Sequence, residues 1–525
     1  MAGAAARSRV LLIGLDSADA ELIERWADDG TMPALARLRR EAAWRRLGTT
    51  AEIMHVSAWP TLYTGTTPGH HGMYHAYQVR AGLPGIHRTE PQWCGQPPFW
   101  RQLDEAGKRC VIFDAFMDYP LPDFRGVQIL EYGTWTWFGE PGSTPRGLLG
   151  DLRRRFGRYP APEHADLVKV PDDPLRFRDQ LVAGAAIKAR ITRALMEEQD
   201  WDLLFVTFGE THGAGHYLWH FGDENYPLQP QDAALRGVNL VRDVYAGVDA
   251  AIATILEGAD DDTTVIVTSA DGMGPNYSGC HLMPELLHRM DLFHGGGVGG
   301  GGEADSKPRT GLMQALRQAV PLSFRQSVTR CLPRRMRYQL GMKWVNSSVD
   351  WQRSKVFCVP NSNEGYFRVN LQGRDPLGGV RPGTEYEEIL GRLHEELSGL
   401  RGAATGLPAA ERVTLVDSTY SGSRRVDLPD AVISWNLAAR IVDAVDTRGY
   451  GAIRGLPGHA TSPYYTGNHR ATAFAVTRAA GWHGADAAAD PHVLDIAPTV
   501  LALLGVDPPR NYEGRSWYAG RPGAH

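Results

Sequence analysis

Two histidines four residues apart, His212 and His216, follow a short apolar run, Leu203 to Phe208, in the stretch WDLLFVTFGETHGAGHYLW (201–219). The run is β-prone and the pattern breaks at Gly209, so the spacing predicts a strand that hands over to a helix. On a helix, positions i and i+4 share a face. Two imidazoles placed in that way can converge on one metal ion. Three more ligand-type side chains sit beside strand-like runs: Asp16 after VLLIGL, Asp271 after TTVIVTSA, and His469 just before Arg470 and ATAFAVT. Each alone has a plain alternative, a turn histidine or an aspartate capping a helix. Together they match the rule that open α/β sheets bind ligands beyond the carboxyl ends of their parallel strands.

The elements that must carry these groups alternate. Strands are expected at 10–15, 110–115, 203–208, 263–268, 355–360, 365–371 and 471–477. Helices are expected at 21–40 (interrupted at Gly30 to Pro33), from Ala58-Trp59-Pro60 onward, at 176–198, 238–256, 385–399 and 495–504. Proline fits a helix's first turn, and the alternation predicts a mostly parallel α/β sheet with helices on both faces. The glycine run HGGGVGGGGE (294–303) cannot pack a core, and 307–343 carries many Arg and Lys and no acidic residue. The chain is therefore divided into a core, 1–293 and 346–525, and an inserted Gly-rich linker and basic cap, 294–345. No internal repeat is visible.

Composition narrows the function classes. A chain of 525 residues with 43% hydrophobic and 22% charged residues is ordinary globular protein. A net charge of −5 gives no electrostatic reason for nucleic acid or an anionic membrane as partner. Five scattered cysteines without a CxxC pair suggest neither a disulfide framework nor a thiolate zinc site. A cytoplasmic protein is expected, with no run long enough to span a bilayer.

The motifs GLDSAD (14–19), AWPTLYTGTTPGHHG (58–72), ETHGAGHYLW (210–219), SADGMGPNYSG (269–279), TGNHR (466–470) and DIAPTVLALLGV (495–506) carry a resemblance. The chain resembles the alkaline phosphatase superfamily, in its type I phosphodiesterase/nucleotide pyrophosphatase branch. Such proteins hold two divalent metals, usually zinc, beside a nucleophile at a helix N-terminus. They cleave phosphate monoesters, diesters or pyrophosphates, and relatives act on sulfate esters. The resemblance implies that Asp16 is a metal ligand and that His216 and His469 are two histidine ligands of one metal. It also marks departures. The family's aspartate is His212 here, its Asp-His pair is Ala270-Asp271, and its Thr or Ser nucleophile falls at His55, with Ser57 the nearest hydroxyl.

His212, His216 and His469 then make a three-imidazole set suited to zinc, with iron or manganese as alternatives. Asp16, His55 and Asp271 make a second, more oxygen-rich set, so one or two ions are expected. Three routes follow for the reaction: attack by metal-activated water, a nucleophilic or basic His55, or Ser57 as nucleophile. Weaker candidates are His281, His459, Asn361 and Asn363, and the Arg424-Arg425 pair, while His70 and His71 read as a structural pair at a helix end. The expected function is a metal-dependent phosphoric or sulfuric ester hydrolase acting on an anionic small molecule. A non-hydrolytic transferase or redox enzyme on the same fold, and a degenerate ligand-binding protein, are the alternatives.

Overall fold

The computed structural model describes residues 8–133, 141–162, 171–227, 229–230, 232–295, 334–347, 349–359, 361, 363–455, 465–479 and 490–518. Its central sheet uses β1 (Arg9–Leu15), β2 (Ala43–Leu47), β3 (Cys110–Phe113), β4 (Val127–Leu130) and β5 (Gly142–Thr144). It continues with β6 (Leu203–Phe208), β7 (Thr263–Ser269) and, after elements given below, Ala473–Arg478. β7, β1, β6, β3 and β4 lie side by side and parallel. Ala473–Arg478 runs antiparallel between β7 and β2, and β5 antiparallel against β4.

The parallel strands are buried on both faces, as their continuous apolar composition requires. In β1, Leu11, Ile13 and Leu15 join one core, whereas Val10 and Leu12 join the other. Helix α1 (Ala58–Thr64) covers the second core with the C-terminal helix Ile496–Leu503. The first is covered by α2 (Pro174–Glu198) and by Leu240–Leu256. The expected break near Gly30 falls between helices Ala20–Asp28 and Pro33–Glu41.

Residues 356–435, which the sequence assigns to the same core, build a second, antiparallel sheet. It pairs Val356–Val359 with Gly365–Val369, then Ala431–Trp435, then Ala410–Leu415. Helix Thr384–Gly399 packs on it and shares its hydrophobic cluster. Most of the expected cap at 294–345 lies outside the described residues. Helix Arg334–Ser347 is described, and its Asn346 bonds both backbone groups of Ile86, each at 2.8 Å.

Candidate active site

Strand register sets the site. Leu15 of β1 pairs with Phe208 of β6, and Gly14 pairs with Thr268 of β7. Asp16, the Gly209 turn and the Ser269–Asp271 segment therefore leave the sheet at one level and one edge. Because Ala473–Arg478 runs antiparallel, its entry end reaches that same edge and brings His469 there. Helix α3 (Glu210–Gly222) begins directly after β6. It carries His212 and His216 on one face, as their spacing predicts.

A short ladder positions His469. β8 (Gly272–Pro275) pairs antiparallel with β9 (Gly467–Arg470), Met273 opposite His469. The ladder seats closely on α3, β9 through Gly467 and β8 against Gly215. A Cβ on Gly467 would meet the Gly215 carbonyl oxygen at 2.1 Å, and one on Gly215 would meet Met273 Cγ at 2.6 Å. Thr466 then donates its backbone N–H to the His216 carbonyl at 2.7 Å.

The rings of His212, His216 and His469 lie with centroids 4.6, 5.0 and 5.1 Å apart. One ligand nitrogen from each falls within 4.8 Å of the others, the one such group of three or more among the described residues. Sequence positions more than 250 apart are thus brought together as expected. Asp16, His55 and Asp271 border this trio without forming a comparable group. His212 Nδ1 lies 2.8 Å from Asp16 Oδ2, and the other Asp16 oxygen accepts from Trp59 Nε1 at 2.8 Å. His469 Nδ1 lies 2.6 Å from Asp271 Oδ2, and His216 Nδ1 donates to the Gly467 carbonyl at 2.9 Å. Burial, then the nearby Asp16 carboxylate, push the Asp271 carboxyl well above the ordinary carboxylate range. The backbone of Ser17, in the left-handed region at φ 55°, turns its hydroxyl back to within 3.3 Å of Asp271 and 3.2 Å of His469.

His55 opens a short turn before α1 and is buried. Its ring stacks on His469 with centroids 4.2 Å apart. Its Nδ1 donates to Glu364 Oε2 at 2.7 Å, a partner the sequence does not single out. Glu364 sits in the PNSNEGY turn just before the strand Gly365–Val369. The signal available in the sequence was Asn363, named as a candidate, whose amide nitrogen lies 2.7 Å from His55 Nε2.

Ser57 is placed elsewhere. Its buried hydroxyl donates to the Met54 carbonyl at 2.5 Å and lies 2.7 Å from Thr50 Oγ1. That group continues through Thr61 to His71, whose Nε2 donates to Thr61 Oγ1 while its Nδ1 accepts from Met73 N–H. His71 is structural, as expected, but as a neutral ring rather than a cation facing a dipole, since burial pushes it down to about 3. His281 lies against Gly455, Arg424 packs on Gly72 and Gly95, and Arg425 pairs with Asp417. His459 lies outside the described residues.

Behind α3 a second polar group is fully buried. Lys188 Nζ lies 2.8 Å from Asp114 and 3.9 Å from Glu210, and donates to the Thr207 carbonyl at 2.6 Å. Tyr159 donates to Glu210 at 3.1 Å. This cluster ties the end of β6 and the first turn of α3 to α2. Lys188→Met would leave two buried carboxylates without their cation, an expected loss of about 3–5 kcal/mol. Thermal unfolding checks it: a midpoint equal to that of the wild type would contradict the assignment.

A parallel sheet with histidine and carboxylate side chains gathered at its carboxyl edge, completed by an antiparallel strand and covered on both faces, is the alkaline-phosphatase-like α/β fold. The model of the family "Type I phosphodiesterase / nucleotide pyrophosphatase" matches residues 10–322. The chain belongs to that family and is a hydrolase of the alkaline phosphatase superfamily. Among solved structures, it is similar to phosphonoacetate hydrolase from Sinorhizobium meliloti 1021 in complex with phosphonoacetate. That likeness has a TM-score of 0.52 and 13% identity, covering 95% of this chain and 96% of the other. The phosphonoformate complex of the same enzyme gives 0.50 and 12% over the same shares. Murine ectonucleotide pyrophosphatase/phosphodiesterase 5 gives 0.46 and 13%, again over 95% and 96%. No curated protein matches the sequence. No helix among the described residues is long and apolar enough to cross a membrane.

Proposed function

We propose that this hydrolase is metal-dependent and cleaves a phosphoric ester, in the manner of a phosphodiesterase, on a small anionic molecule. A sulfuric ester is the neighbouring possibility for the same chemistry. The observation that carries the reading is the convergence of His212, His216 and His469. Three imidazoles are a donor set that holds zinc well and leaves coordination positions open. The engaged Nδ1 atoms of His216 and His469 make Nε2 the ligand atom of each, the arrangement in which an outer oxygen fixes the tautomer of a metal-binding histidine. Iron or manganese would suit the set less well than zinc. When bound, the ion would act as a Lewis acid toward the non-bridging oxygens of the ester.

The chain's own residues supply the rest. Asp16 and Asp271 orient His212 and His469, and the gathering of Asp16, Asp271 and Glu364 about the rings makes the pocket one that favours a cation, whose arrival would also stabilise the charged form of Asp271. His55 stands where the family places its nucleophile and is the side chain beside the trio with a nitrogen to offer the substrate. Ser57 is spent on Met54 and Thr50 and takes no part. Cys94, Cys110, Cys280 and Cys358 are free thiols, which supports a reducing, cytoplasmic setting.

Elemental analysis of the purified protein and a chromogenic panel of phosphate monoester, diester and sulfate ester test the proposal. At least one equivalent of metal and chelator-sensitive turnover of the diester are expected. A folded, metal-free protein inert toward all three esters would overturn it.

A further inference from the structure

We infer that Glu364 is a positioning residue for His55: it accepts the Nδ1–H and fixes the tautomer whose Nε2 lone pair serves the reaction. The inference rests on the proposed function for what that nitrogen does, but not for which nitrogen it is. Four observations carry it. His55 and Glu364 are both buried, with side-chain exposures of 5% and 10%, and their contact is 2.7 Å. A carboxylate oxygen only accepts, so a lone pair on Nδ1 would face another acceptor at that distance; the proton must be on Nδ1. Glu364 is itself held, because the same oxygen accepts from Tyr366 Oη at 2.9 Å and its backbone carbonyl accepts from Asn361 Nδ2 at 2.5 Å. Swinging away from His55 would therefore break a second buried hydrogen bond.

The fourth observation concerns the other ring nitrogen. Asn363 Nδ2 lies 2.7 Å from Nε2 and 3.4 Å from Nδ1. An atom out along the Nε2 lone pair would be farther from Nδ1 by nearly the full separation of the two nitrogens. The amide therefore contacts Nε2 from off the axis of that lone pair, beside the ring rather than in line with it. The antiparallel sheet thus reaches into the site through one turn. Asn363 flanks the ring, Glu364 sets its tautomer, and the His469 ring supports its face.

A side-chain spectroscopic test separates this inference from the function it rests on. In full-length protein with nitrogen-15 histidine, long-range proton–nitrogen correlation at pH 8 reads each ring's tautomer, and His55→Gln identifies the His55 signals. The wild type is expected to carry the proton on Nδ1 of His55. In Glu364→Ala the ring should shift to the Nε2–H form that an unrestrained imidazole prefers. Glu364→Gln, whose amide oxygen still accepts, should retain Nδ1–H. Turnover of a chromogenic diester should fall about 10–100-fold in Glu364→Ala, in kcat rather than KM, with partial recovery in Glu364→Gln and unchanged zinc content. A wild-type His55 protonated on Nε2, or on both nitrogens, overturns the inference, as does an Nδ1–H ring that survives in Glu364→Ala. The wild-type spectrum decides even where the alanine variant does not fold. A protein that turns over no ester would refute the proposed function and leave the tautomer result standing.

Discussion

His216→Ala is expected to yield a folded protein that has lost its bound metal and its ester turnover together. The ring is positioned without help from an ion. Its Nδ1 donates to the Gly467 carbonyl, and its face stacks on Tyr465 with centroids 4.0 Å apart. Removing it costs the hydrogen bond to Gly467 and the ring packing on Tyr465 and its neighbours, a modest loss beside the cores on either face of the sheet. Its loss takes one of three donors from the converging set, and two imidazoles hold a cation far less firmly than three. A metal's stabilisation of transition-state charge is worth several kcal/mol; at about 1.4 kcal/mol per tenfold, the rate should fall on the order of 10³-fold. His220→Ala is the matched control. That residue lies four positions further along the same helix, is also buried, and bonds Thr466 Oγ1 at 3.1 Å, but stands outside the trio. Metal analysis and diester assays on both variants decide the matter. Full metal content in His216→Ala would mean that the three rings are not the centre.

The residues that proved easiest to read were those attached to the strongest local patterns. Asp16, His212 and Asp271 each come shortly after a strand-like run, VLLIGL, LLFVTF and TTVIVTSA, and such runs fix strand ends to within a residue or two. His216 followed from helical spacing. Its meeting with His469 did not, since it depends on the glycine contact between α3 and β9, the ladder opposite Met273 and the hydrogen bonds joining Thr466 and Gly467 to His216. Glu364 was missed for a different reason. It reaches His55 across 309 positions from the turn that leads into a separate antiparallel sheet, and short strands reveal their partners only once paired. A glutamate between a turn and a strand otherwise reads as surface. Lys188 was invisible for a related reason, since a lysine within a 25-residue helix gives no local sign that it faces two carboxylates. Ser57 looked chemical by position alone; its hydroxyl's engagement with Met54 and Thr50 is something no pattern announces.

Gly467→Ala is expected to damage both stability and metal binding, and the reason is backbone geometry rather than chemistry. The added methyl carbon would lie 2.1 Å from the Gly215 oxygen, 2.9 Å from its carbonyl carbon and 3.2 Å from the Gly274 oxygen. All three are main-chain atoms inside a helix and a ladder, so no side chain can rotate out of the way. The strand must move instead, and His469 is two residues along it. Overpacking of this kind costs about 1–3 kcal/mol, occasionally more, and here the strain falls on the hydrogen bonds that join Thr466 and Gly467 to His216. A lower thermal midpoint should therefore accompany weaker zinc binding, with the two losses linked. Gly391→Ala supplies the contrast, because that glycine lies within helix Thr384–Gly399 and a methyl there meets nothing within 4 Å. It should stabilise the protein by about 0.5–1 kcal/mol and leave zinc affinity untouched. If Gly467→Ala bound zinc as tightly as the wild type, the close seating of β9 on α3 would not be what holds His469 in the trio.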